Sequence, residues 1–328
     1  MRRSDRGREA DPGYRGGIGT IAYDEFGLFH ENAREYGLPY DRPPVVRREV
    51  VETEDGRRIS SLVWGAADPQ LVLLHGGAQN AHTWDTVALA LGRPLVAIDL
   101  PGHGHSDDAT DGTLVPSAIA TDVVSVIEAL APTAPAIVGM SFGGLTAIAL
   151  SRIAPTLVQR LVLVDVTPGV GGSKASQIRE FVAGPERFAT FEEMLARTIK
   201  YNPTRLESSL RRGLLHNAVE TPDGTWVWRH QRGQHGMLEV KDASELWGDI
   251  SASTAPLMLV RGMRPGSVVD DADEAELRRR RPDVRIEHID HAGHSVQGDA
   301  PLELAALIVD FLLSVDQQRP TSEGPVDR

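Results

Sequence analysis

The chain has 328 residues, 41% hydrophobic and 24% charged, which is enough apolar side chain for a sizeable core and too much for a disordered protein. Lys and Arg number 34 against 46 Asp and Glu, and the resulting net charge of −12 disfavours nucleic acid and anionic membranes as partners. The absence of cysteine removes disulfides, thiolate nucleophiles and cysteine-bound metals, and it fits a reducing compartment.

The basic start MRRSDRGREADPGYRGG has no apolar run of signal-peptide length behind it, and no stretch approaches the roughly 18 apolar residues of a membrane span. The expectation is a cytoplasmic protein. Residues 1–44 read as a tail and a short helical extension, DEFGLFHENAREYGLPY, which stops where Pro43 and Pro44 force extended backbone. From residue 45 strand candidates follow in order: VVRREVVE, ISSLVWG, LVLLHG, PLVAIDL, APAIVGM and RLVLVDV. The last four are continuous apolar runs, as expected of parallel strands covered on both faces. Helical segments at about 83–92, 115–131 and 143–154 alternate with them.

That rhythm stops at Gly169. Residues 170–250 hold amphipathic helical patterns (SQIREFVAG, TFEEMLARTIKY, TRLESSLRRGLLHNAV), a turn at TPDG and the aromatic run TWVWRH, without a strong buried strand. Strand and helix resume with PLMLVRG, EAELRRRR, VRIEHID and PLELAALIVDFLLSV, and a polar tail occupies 316–328. The pattern predicts an α/β protein: a doubly wound, mostly parallel sheet built from 45–169 and 251–315, with a helical cap inserted after the sixth strand. A cap on one edge of a sheet covers a site.

The segment APAIVGMSFGG sets Gly139, Ser141 and Gly143 in GxSxG spacing between a strand and a helix. A serine on such a sharp turn presents its Oγ at the carboxyl edge of the sheet, and the flanking glycines keep Cβ atoms away from neighbouring backbone. The bland alternative is a tight turn whose serine caps the helix. A serine hydroxyl needs a general base, and that base needs an orienting acid. After the final strand, IDHAGHSV offers His291 and His294, and His294, preceded by glycine in a loop at the carboxyl edge, is the preferred base. The other nine histidines are expected at the surface or at helix caps. An oxyanion needs backbone N–H donors, for which LVLLHGGAQNAHTW supplies Gly77, with Ala78 next, and the turn supplies Phe142.

Taken in order, LLHGG, DLPGHGHSD, GMSFGG, LVLVDVTPG and DHAGH resemble the α/β-hydrolase fold family, in its capped esterase and C–C hydrolase form, over roughly residues 45–315. The resemblance implies a triad acid after the penultimate strand, three residues beyond its terminal glycine. That glycine is Gly262, and Pro265 stands where the acid belongs. Asp270 and Asp271 follow, where they equally suit a helix N-cap. A minority of the family draws the acid from the preceding strand end, occupied here by Asp165 in LVLVDVTPGV, on the strand next to that of Ser141. Asp165 is therefore the preferred acid and Asp270 the alternative.

Asp99, at another strand end, is expected to order a turn, and Arg278 to Arg281 to form a solvated helix end. Trp84, Trp226, Trp228, Arg229 and His230 either line the pocket or pack a core, and an inward Arg229 would favour a substrate carboxylate. No HExxH, P-loop or GxGxxG stands in place, so neither metal nor cofactor is expected. The expected activity is hydrolysis of a carboxylic ester, or a related lactone or amide, with a small molecule as partner and a homodimer left open. The resemblance also admits a C–C hydrolase of a vinylogous diketone, and the scaffold a non-catalytic ligand-binding protein.

Overall fold

The first half of the chain runs α1 (Phe29–Tyr36), β1 (Val46–Glu52), β2 (Arg58–Trp64), β3 (Leu71–Leu74), α2 (Asp85–Leu91), β4 (Leu95–Ile98), α3 (Pro116–Leu130), β5 (Ala136–Met140), α4 (Phe142–Ile153) and β6 (Leu161–Val164). The computed structural model describes residues 21–109, 114–134, 136–171, 174, 176–230 and 243–317. The inserted segment contributes α5 (Ser176–Val182), β7 (Arg187–Phe188), α6 (Phe191–Tyr201), α7 (Glu207–Asn217), β8 (Ala218–Glu220), β9 (Trp226–Trp228) and α8 (Leu246–Ala252). The core then closes with β10 (Leu257–Gly262), α9 (Asp271–Arg280), β11 (Arg285–Ile289), α10 (Val296–Asp299) and α11 (Pro301–Gln317).

Eight strands form one sheet in the order β1-β2-β4-β3-β5-β6-β10-β11. Only the pairings of β2 with β1 and with β4 are antiparallel; the remainder are parallel. Strands β3 to β6 are buried throughout, because helices cover both faces, and this is why they read as unbroken apolar runs. Alternation along β3 divides the core: Val72 and Leu74 join α3, α4 and α8 on one face, while Leu71 and Leu73 join α2 and α11 on the other. Phe29 of α1 is buried on the second face with its ring 4.8 Å from that of Trp64, so the N-terminal extension is part of the fold.

The insertion departs from an all-helical cap. β7, β9 and β8 pair as a three-stranded antiparallel sheet, and TWVWRH, expected to lack a strand, supplies its centre. Phe188, Phe191, Leu210, Leu214 and Trp226 pack a separate small core there. Its far boundary also moves: Leu246, Trp247 and Ile250 bury against the main core, so α8 belongs to the sheet domain although it precedes residue 251. Helix α11 continues to Gln317, past the expected start of the tail. The tail expectations at 1–20 and 318–328 lie outside the described residues. Among the described residues no helix is long and apolar enough to cross a membrane.

Trp84, one of the five residues proposed to line the pocket or pack a core, is fully buried beneath the sheet with Leu73, Val87 and Met140. Packing is the role its surroundings support. Trp84→Ala should therefore cost about 3–5 kcal/mol in urea unfolding, with KM for any turned-over ester changed less than about twofold; a large KM change at unaltered stability would return Trp84 to the pocket.

Candidate active site

Ser141 follows β5 directly and precedes α4, with φ 50° and ψ −119°, a conformation side chains with a Cβ rarely adopt. The turn is this tight because backbones close in around it. A Cβ on Gly139 would lie 2.5 Å from the Gly143 carbonyl oxygen, and one on Gly143 would lie 2.3 Å from that of Leu74. Both glycines of the GxSxG spacing are thus fixed by close approach. Phe142 opens α4, and its N–H belongs to the first turn, where no intrahelical acceptor exists.

His294 Nε2 lies 3.0 Å from Ser141 Oγ, and His294 Nδ1 lies 2.8 Å from Asp165 Oδ2. Strand register makes this meeting possible, since Met140 pairs with Val164 and the next residues are Ser141 and Asp165. Asp165 is fully buried, also at positive φ (46°). A buried carboxylate is costly unless its oxygens are satisfied, and here they are. Oδ1 accepts from the Gly262 N–H at 3.0 Å and the Ser267 hydroxyl at 2.6 Å, while Oδ2 accepts from the Val268 N–H at 3.1 Å as well as from His294. Three of these four donors come from β10 and the loop after it, the place where the family resemblance expected an acid. That loop supplies donors instead.

Asp270 stands apart from this chain of bonds. It is the N-cap of α9 in a capping box with Asp273, and Lys174 Nζ sits 2.8 Å from its carboxylate. Lys174 and the Asp273 amide hold its carboxyl down at about 2. His291 is exposed, 3.5 Å from Glu303. Asp99 does order its turn: it accepts from the Ala81 and His105 amides at 2.7 and 3.0 Å and pairs with Arg48 at 2.7 Å. Arg278 and Arg279 are solvated as expected, but Arg281 is buried, donating to the Ser253 and Ala255 carbonyls.

Of the loop amides weighed as oxyanion donors, Ala78 is already committed, its N–H donating to His103 Nε2 at 3.1 Å. Gly77, the other loop amide weighed, lies one residue nearer β3. His75 and His103 are both buried, contrary to the surface expectation, and burial lowers both, His75 to about 3. Each therefore stays neutral. With Nδ1 on a carbonyl, each leaves Nε2 to accept an amide, Leu100 for His75 and Ala78 for His103. The pair locks the glycine-rich loop to the loop after β4.

A family model described as the alpha/beta hydrolase family matches residues 71–307, which span the sheet, the serine turn and the histidine loop. The chain belongs to the alpha/beta hydrolase family. It is 44% identical over 292 residues to Esterase Rv0045c of Mycobacterium tuberculosis, covering 87% of this chain and 94% of that protein. The crystal structure of that esterase superposes with a TM-score of 0.77 at 43% identity, covering 89% of this chain and 99% of the other. An sn-1-specific diacylglycerol lipase of Mus musculus, ABHD11, is 28% identical over 257 residues, covering 74% of this chain and 81% of that protein.

Within this hydrolase-family chain the insertion meets the core at the loops after β3 and β4, where Asn217 donates to the Ala78 carbonyl and the Gly104 amide donates to the Arg229 carbonyl. Trp228 is half-buried against Phe181, Phe188 and His230, and Trp226 lies in the insertion's own core, so both side chains pack that segment. Arg229 Nε reaches the Ala218 carbonyl at 3.3 Å and its Nη1 lies 3.4 Å from His105. Sequence reading missed a buried cluster at the same seam: His82, Asp85 and His216, with ligand-type atoms within 4.8 Å of one another. The two imidazoles stack at 3.8 Å and 10°, so their in-plane lone pairs do not converge on one ion as the cluster stands. His82 instead bridges Asp85 at 2.9 Å and Glu25 at 3.1 Å.

Burial alone would lower the His82 imidazolium, but Asp85 and Glu25 outweigh it and hold it up at about 9. A histidine raised above its ordinary 6.5 contributes stability that is fully present below that value and lost as pH climbs through about 9. Urea unfolding should accordingly show wild type well above His82→Gln at pH 6, with most of that difference gone by about pH 10; a difference that grew with pH would contradict a charged His82.

Proposed function

We propose that this chain is a serine hydrolase acting on carboxylic esters through an acyl-enzyme on Ser141. The observation that carries the reading is the unbroken chain Ser141 Oγ to His294 to Asp165, at 3.0 and 2.8 Å, in a protein 44% identical over 292 residues to one named an esterase.

In this reading His294 Nε2 removes the Ser141 proton as Oγ attacks the ester carbonyl, and Asp165 fixes the Nδ1–H tautomer and stabilises the imidazolium that forms. The Gly77 and Phe142 amides receive the developing oxyanion. His294 returns the proton to the departing alkoxide, then activates the water that releases the acid. Both negative charges, on Asp165 and on the oxyanion, are met by preorganised N–H and O–H donors, so little reorganisation accompanies the proton transfers. Epoxide and haloalkane chemistry of the same fold needs a carboxylate nucleophile, and position 141 is serine. The substrate enters between the sheet edge and the inserted segment.

A fluorophosphonate should label wild type at Ser141, and Ser141→Ala should abolish both labelling and p-nitrophenyl ester turnover while leaving the circular dichroism spectrum unchanged; retained turnover would sink the proposal. On the same esters Asp165→Asn should lower kcat by about 10²–10⁴-fold through the wrong histidine tautomer. Asp270→Asn should remain within about threefold of wild type, losing only part of a helix cap, and the opposite ranking would reassign the acid.

A further inference from the structure

Ala78 follows the proposed oxyanion donor Gly77 and sits at φ 61°, in the left-handed region that residues with a Cβ rarely enter. Something outside the loop must hold it there, and both of its backbone polar groups are gripped. Its N–H donates to His103 Nε2 at 3.1 Å, and its carbonyl accepts from Asn217 Nδ2 at 2.7 Å. These two bonds fix the peptide planes that follow Gly77, and so the direction of the loop at the donor.

Both grips lead into the inserted segment. Asn217 is the last residue of α7. The core answers it reciprocally, with Asn80 Nδ2 donating to the His216 carbonyl at 3.0 Å while Asn80 Oδ1 accepts from the His82 amide at 3.0 Å. On the other side, His103 forms a β-bridge with His230, and the Gly104 N–H donates to the Arg229 carbonyl at 2.9 Å. The Arg229 amide in turn donates to the Asn217 carbonyl at 2.9 Å, which closes a ring of bonds from Ala78 through the insertion and back.

We propose that Asn217 is a positioning residue for the oxyanion hole: docking of α7 and β9 on the sheet edge sets the Ala78 conformation, so that the hole is complete only when the inserted segment is seated. The proposal rests on the serine-hydrolase reading above. Asn217 touches no reacting atom; it acts through Ala78. An amide is required at this position because it must donate to one carbonyl, and an aspartate of the same shape would set a carboxylate against that oxygen.

The test measures kcat and KM on p-nitrophenyl butyrate, the Ki of phenylboronic acid as a tetrahedral adduct, and thermal stability, for Asn217→Ala and the near-isosteric Asn217→Asp. Active sites are counted by fluorophosphonate titration, so that only folded, reactive molecules enter kcat. The expected result is a fall in kcat of about 10- to 100-fold with KM within about threefold, larger for Asn217→Asp, and a rise in the boronate Ki by a similar factor. A lowered melting temperature with kcat per titrated site and boronate Ki both within about twofold of wild type would overturn it, because Asn217 would then only fasten the insertion. If wild type itself neither hydrolyses esters nor takes the fluorophosphonate, the hydrolase reading fails, and this inference falls with it.

Discussion

The structure turns on one buried negative charge. Asp165 is wholly removed from water, and only its donors make that tolerable: two backbone amides, one hydroxyl and one imidazole converge on its two oxygens. Each donor constrains an element. The Gly262 amide ties the end of β10 to the end of β6, Ser267 and Val268 pull in the loop that leads to α9, and His294 is drawn from the loop after β11 to meet Ser141. The same bonds that stabilise the carboxylate therefore assemble the constellation around it.

Backbone strain points to the same place. Among the described residues, the non-glycine positions at positive φ are Ala78, Ser141 and Asp165, and all three follow the carboxyl ends of adjacent strands β3, β5 and β6. Such conformations persist where surrounding structure over-determines them. Ser141 is held by the crowding at Gly139 and Gly143, Asp165 by its four donors, and Ala78 by a histidine from the core and an asparagine from the insertion. The fold supplies the sheet edge, and these local restraints aim what lies along it.

Much of this was legible in the sequence. Unbroken apolar runs gave the parallel strands because both faces are covered, and GMSFGG in its strand-turn-helix setting located Ser141. Proline at 265 leaves the penultimate strand without the usual acid, and Asp165, not Asp270, lies against His294. What escaped depended on partners distant in the chain. The small sheet of the insertion was hidden because strands of two or three residues carry little periodicity. The histidine clamps at 75 and 103, the His82 network and Asn217 were invisible for a related reason: nothing local distinguishes a buried, hydrogen-bonded polar side chain from a surface one. Trp84 went the same way, since an aromatic after a glycine-rich loop suits a pocket as well as a core.

If Asp165 alone orients His294, the proton between them reports on that pairing directly. A one-dimensional proton NMR spectrum with ¹⁵N-labelled histidine should show a ring N–H resonance far downfield of the backbone amides, assigned to His294 by its loss in His294→Ala. This signal should disappear in Asp165→Asn and persist in Asp270→Asn. A resonance that survives Asp165→Asn, or that vanishes with Asp270→Asn, would contradict that pairing.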